Sequence, residues 1–257
     1  MTKTLEFADL LRLIDERSTA FRAAVAAAPD LDAQVPTCPD WTLLDLVQHL
    51  GTVHRRWAAI VAAGPADSRA TPAPSEAPRE RAELIAWSAE STRQLLDALR
   101  EFGPDRGCWT WWADSQSPRT SGAVARHQVQ EAMVHTYDAQ ITAGEPQPLS
   151  EEAAVDGVEE FLFTCCATTS AWPHDLATVD YHATEGRSWR LALSDAGATA
   201  TPVPASAPIP AGTAYASARG TAGEIVLFLY GRTYVDSLKY DGERRLFDQL
   251  IAWDPEA

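Results

Sequence analysis

The sequence predicts an α+β protein, with a helical bundle over 1–168 and a small α/β region over 169–257. Three observations carry this reading. Apolar residues in the first part recur at helical spacing. Beyond Pro173 the pattern changes to short alternating or β-branched segments bounded by Gly, Asp and Pro. A run of helices followed by a run of short strands segregates into separate layers instead of alternating as βαβ units. A chain of 257 residues suffices for one large domain or two small ones.

Taken in order, Leu5, Leu10, Leu11, Leu13, Ile14 and Phe21 mark a helix over 5–27. Pro39-Asp40 opens a second, with Asp40 as expected N-cap and Trp41 in the first turn, running to about residue 63. Residues 64–79 read as a Pro/Ala/Ser loop. A third helix is expected over 80–102. The segment from Cys108 to Asp114, with Trp109, Trp111 and Trp112, reads as a packed loop or a cavity wall. A fourth helix covers 119–143 and a fifth 150–168. Strands are expected at 176–184, 188–195 and 213–219, and the Pro-rich run before the last of them is excluded from any inner strand. A helix at 221–231, a strand at 235–240 and a helix at 244–252 complete the chain.

Composition narrows the function. Acidic residues outnumber basic ones 36 to 21, for a formal charge of −15. Nucleic-acid binding needs a basic face that displaces counterions, so this balance argues against it. No apolar run approaches the roughly 20 residues that span a bilayer, and Met1 to Glu6 leads directly into an amphipathic pattern. The expectation is a cytoplasmic protein without a membrane partner. Arginine in place of lysine, together with abundant alanine, suggests a high-GC bacterial genome. Cys38, Cys108, Cys165 and Cys166 show no CxxC spacing, and the adjacent pair reads as packing residues.

The informative stretch is Arg126 to Asp138. At about 100° per residue, His127, Glu131, His135 and Asp138 share an arc of about 80°. Glu131 and His135 lie one turn apart, so both heads can reach a single ion. On the second helix His49 shares an arc of about 60° with Leu46, Val53 and Ile60, which turns its ring inward and makes it the leading third ligand. His127 competes for that role. Asp138 is either a partner that fixes an imidazole tautomer or a surface carboxylate. His54, about 140° round from His49, reads as an edge position. Taken alone, Glu-x-x-x-His is more often a solvated helix pair than a ligand set.

At these residues the chain resembles the mycothiol-dependent maleylpyruvate isomerase family, part of the DinB/YfiT-like metalloprotein superfamily. The matching segments are Cys38-Pro39-Asp40-Trp41-Thr42 with His49-Leu50, Arg126 with Glu131, His135 and Asp138-Ala139, and Tyr230-Gly231-Arg232 with Leu238 and Gly242. They occur in the family's order and span nearly the whole chain. The resemblance implies an up-down-down-up four-helix bundle, with a divalent metal, zinc, on His49, Glu131 and His135. It also implies a functional arginine at Arg232. Where the family pattern has Arg and His, this chain has His127 and Gln130, a departure that bears on substrate handling.

The resemblance further implies a low-molecular-weight thiol, mycothiol, as cosubstrate. A thiolate adds to the conjugated double bond of a small electrophile. In an isomerase the bond rotates and the thiol leaves, whereas in an S-transferase it stays attached. Arg232 suits a carboxylate or a developing oxyanion through its bidentate fork, or else ties the two subdomains. Two other classes remain: a hydrolase using zinc-bound water, and a non-catalytic metal-containing protein that binds small molecules. The residues leave monomer and homodimer equally open.

Overall fold

The computed structural model describes residues 5–254, and the chain divides into two compact units. The first runs to Trp111 and resumes over Pro118–Leu149; the second comprises Trp112–Ser117 and the chain from Ser150 onward.

Four long helices build the first unit: α1 (Phe7–Ala27), α2 (Leu43–Ala63), α3 (Arg81–Phe102) and α4 (Ser121–Ala143). Helix α1 packs chiefly on α4 and α2 chiefly on α3, with further α1–α3 and α2–α4 contacts. Phe21, Leu43, Leu46, Leu50, Leu84 and Trp87 form a shared core. Gly51 sets how closely α2 approaches α3, because a methyl group there would collide with the Trp87 ring. The sequence places α1, α3 and α4 to within about two residues.

The start of α2 is different. Cys38–Thr42 is a strand, β2, paired antiparallel with β1 (Gln34–Val35), so Asp40 is an exposed strand residue and Trp41 precedes the helix. The N-cap is Thr42. Its hydroxyl accepts from the Asp45 amide at 3.2 Å, while the Asp45 carboxylate accepts from the Thr42 amide at 2.9 Å. Two first-turn amides are satisfied by this reciprocal box, which Asp40 does not offer.

In the second unit α5 (Glu151–Phe161) runs into a π turn, Leu162–Cys166. A five-stranded sheet follows in the order β5 (Gly197–Pro202), β4 (Ser188–Ser194), β3 (Ala177–Ala183), β6 (Ala214–Gly220), β7 (Lys239–Gly242). Pairings are antiparallel except β3–β6, since the Pro-rich run after β5 returns the chain to the far side of β3. Helices α6 (Ala222–Leu229) and α7 (Arg245–Ala252) complete the unit around Trp189, Tyr181 and Phe247, all fully buried.

Three expectations shift here. The expectation groups residues 150–168 with the bundle, whereas α5 packs on α6 and the π turn on β5. Gln116 explains why Trp112–Ser117 joins this unit: its amide donates to the Ala200 carbonyl at 3.0 Å and accepts from the Ala200 amide at 2.6 Å, capping edge strand β5. Strand β5 itself goes unread in the sequence because its inner face is mostly alanine, but its Pro202 sits at an edge, as proline requires. Over 235–240 a short 3-10 turn, Val235–Ser237, takes the first half of the expected strand, and β7 starts only at Lys239.

Candidate metal centre

Helices α2 and α4 run in opposite directions and meet along a ladder of rings. The His49 and His135 rings lie 5.0 Å apart, and eight residues further along α2, Trp57 meets His127 at 6.5 Å. The inward stripe of α2 therefore faces the stripe of α4 that carries Glu131.

His49 Nε2 lies 3.0 Å and His135 Nε2 3.4 Å from the same Glu131 oxygen, Oε1. One ligand-type atom from each of the three residues falls within 4.8 Å of the others. Two imidazole nitrogens and one carboxylate oxygen form a donor set suited to a borderline divalent ion, zinc included. Burial alone would raise the Glu131 carboxyl, but hydrogen bonds from His135 and His49 and the nearby His127 outweigh it and hold it well below its ordinary value. Burial likewise opposes protonation of His135, yet hydrogen bonds to Asp138 and Glu131 raise it to about 9. The carboxylate stays charged, and a proton supplies the balancing cation that a metal ion displaces on binding.

Asp138 lies behind His135. It is fully buried and stands 2.8 Å from His135 Nδ1, which fixes the ring and turns Nε2 toward Glu131. Thr37 Oγ1 donates to its other oxygen at 2.6 Å, and the Cys38 sulfur lies 3.8 Å away. Of the two expectations for Asp138, the tautomer-fixing one is realised. The Trp41 ring covers the cluster, 4.6 Å from His49 and 6.1 Å from His135. Its placement follows from the strand that precedes α2.

His127 stands outside the cluster, its ring edge-on to Trp57 and, at 5.7 Å, to Trp111. His54, expected at an edge, is instead 1% exposed. Helix α3 covers that face of α2, and His54 Nδ1 sits 3.2 Å from Thr92 Oγ1. Desolvation lowers its pKa to about 4, so it is neutral. Cys108 is buried and desolvation pushes its thiol up to about 11, the wrong direction for a nucleophile. Cys165 and Cys166 border an apolar cavity of about 520 Å³ in the second unit.

Glu131 also borders a cavity of about 310 Å³ inside the first unit, walled by Trp57, Trp109 and Trp111. The tryptophan-rich segment thus contributes a cavity wall, one of its two expected roles. Sequence reasoning missed Arg56 and Gln128 on the same wall. A signal existed for Arg56, which lies seven residues beyond His49 and therefore on its stripe.

Arg232 lies in the second unit, just after α6. Gly231 takes a positive φ of 71°, the Arg232 amide donates to the Leu227 carbonyl at 2.7 Å, and its Nη1 donates to the Tyr230 carbonyl at 2.7 Å. No helix among the described residues is long and apolar enough to cross a membrane.

Comparison with known proteins agrees with this architecture. Residues 11–140 match the model for the mycothiol maleylpyruvate isomerase N-terminal domain, and residues 152–249 the model for the corresponding C-terminal domain. Two crystal structures of the mycothiol-dependent maleylpyruvate isomerase, one of them a mutant, share the fold. Their TM-scores are 0.54 and 0.55 at 15% identity, over 93% of this chain and 95% of theirs. No curated protein matches the chain.

Proposed function

Because the chain belongs to the mycothiol maleylpyruvate isomerase family, we propose that it is an enzyme that uses a low-molecular-weight thiol, mycothiol, and a divalent metal, zinc, to isomerise or S-conjugate a small electrophile. In this reading α1 to α4 form the superfamily's up-down-down-up bundle, and the metal is held by His49, Glu131 and His135. The observation that carries it is the convergence of these three donor groups from two helices within 4.8 Å, backed by Asp138 on His135.

When bound, the ion supplies a positive charge that favours thiolate over thiol, with a coordination position left open by only three protein ligands. The residues do the rest. Glu131 stays ionised between the two histidines. Asp138 keeps His135 Nδ1 protonated and Nε2 directed at the site. Trp41 shields the imidazoles from water on one side. Arg232 pairs with a substrate carboxylate or a developing oxyanion. In the isomerase form the thiol adds to one carbon of a conjugated double bond, rotation follows about the resulting single bond, and the thiol is expelled intact.

The test is cis–trans isomerisation of maleylpyruvate, followed by ultraviolet absorbance with and without mycothiol. Turnover is expected only with the thiol. Arg232→Ala is expected to keep its metal and its fold while losing at least about 100-fold in kcat/KM, on the order of one transition-state charge contact. Thiol-independent hydrolysis of the substrate, in place of isomerisation, would replace this reading with the hydrolase. Tight small-molecule binding with no turnover of any electrophile would leave a binding protein.

A further inference from the structure

The cavity beside Glu131 carries polar groups that the ligand set does not use. Gln128 lines it and is 0% exposed, yet among the described residues neither its Nε2 nor its Oε1 has a hydrogen-bond partner. An amide held dry and unanswered costs free energy that an apolar side chain of the same size would not. A ligand with complementary polar atoms, or an ordered water, removes that cost.

Charge selects the ligand. Arg56, half-buried on the His49 stripe of α2, and Arg69, exposed on the loop after α2, both border the cavity. Neither makes an ion pair among the described residues, although acidic residues exceed basic ones by 36 to 21. The wall's one carboxylate, Glu131, is already engaged by His49 and His135. Two guanidinium groups with no internal anion favour a carboxylate from outside, which matches their fork geometry. Trp57, Trp109 and Trp111 add flat apolar faces, the first two with ring centres 6.5 Å apart. A volume of about 310 Å³ suits a small molecule.

We propose that this cavity is the subsite for a planar, carboxylate-bearing organic acid. Arg56 and Arg69 bind the carboxylate, and Gln128 orients the polar group next to it. The tryptophans line the planar carbon frame. That this acid is the electrophile, brought beside the metal ligands, rests on the function proposed above. The binding itself does not.

The experiment is calorimetric titration of the full-length protein with maleate and with uncharged dimethyl maleate, as purified and again after chelation. Maleate is expected to bind both forms, and the diester at least tenfold more weakly. Arg56→Gln is expected to weaken maleate about tenfold, and Arg69→Gln and Gln128→Leu severalfold, all with unchanged metal content. Arg69 is exposed on a loop, so its variant reports even if Arg56→Gln folds poorly. Equal binding of acid and diester, or unchanged maleate affinity in both arginine variants, overturns the proposal. A chain that holds no metal but binds maleate through Arg56 keeps the subsite and removes the metal reading. A chain that binds metal, and binds maleate only through it with no effect of Arg56, does the reverse.

Discussion

Asp180 and Glu131 are both carboxylates withdrawn from water, one in each unit, and their surroundings answer them in opposite ways. Asp180, on β3, is 2% exposed and lies directly across from Arg190 on β4. The guanidinium grips it with two hydrogen bonds of 2.8 Å, and the Tyr215 hydroxyl adds a third at 3.3 Å. Every charge there is answered internally, so nothing is left to recruit. Among the described residues Glu131 has no arginine partner. Its partners are two imidazoles whose charge depends on a proton, and its other side borders a cavity. A partly buried carboxylate answered by titratable nitrogens is stable with a proton or a metal ion between them, and in the function proposed above that makes Glu131 a site where Asp180 is a strut.

The comparison breaks most visibly at the ligands. His135→Ala is expected to weaken zinc binding by about 100-fold or more, since it removes one of three donors and the one fixed by Asp138. His127→Ala, outside the donor cluster, is expected to keep zinc within a fewfold. Competition against a zinc-binding dye reads both, and the reverse ranking would reassign the ligand set.

Asp180→Ala tests the other arm. Leaving Arg190 without its carboxylate is expected to cost about 3 kcal/mol in urea unfolding, with metal affinity unchanged. A loss of metal in this variant would mean that the two carboxylates are not independent.

His54 provides the smallest and sharpest effect. Its folded pKa of about 4, depressed by desolvation, lies below the ordinary histidine value of 6.5. Between these values the unfolded chain binds a proton that the folded chain refuses. Its stabilising contribution is therefore complete above about pH 6.5 and falls away as pH drops toward 4, by about 2 kcal/mol at pH 5. In His54→Gln that component of the pH dependence is expected to vanish, as measured by urea unfolding of the metal-free chain at pH 7 and pH 5.

Much of this was legible in the sequence because helix geometry is regular. A three-and-four spacing put Glu131, His135 and Asp138 on one face, and the apolar stripe of α2 turned His49 toward them. What escaped depends on contacts between elements distant in the chain. His54 reads as an edge position because nothing in α2 says that α3 will cover its outer face. Trp41 reads as helical because Thr42 and Asp45, the real cap, lie just beyond an equally suitable Asp40. Helix α5 reads as part of the bundle because its apolar face does not announce which elements will cover it. Gln128 gave no signal at all, since a polar residue becomes informative only once its burial is known.

The central claim is that the Glu131 cluster holds a metal ion, and elemental analysis of the untagged protein tests it most directly. About one zinc per chain is expected, retained in Asp180→Ala and lost in His49→Ala and His135→Ala. A chain that stays metal-free after reconstitution with zinc, nickel, iron and manganese, with its helical content intact, would contradict the claim.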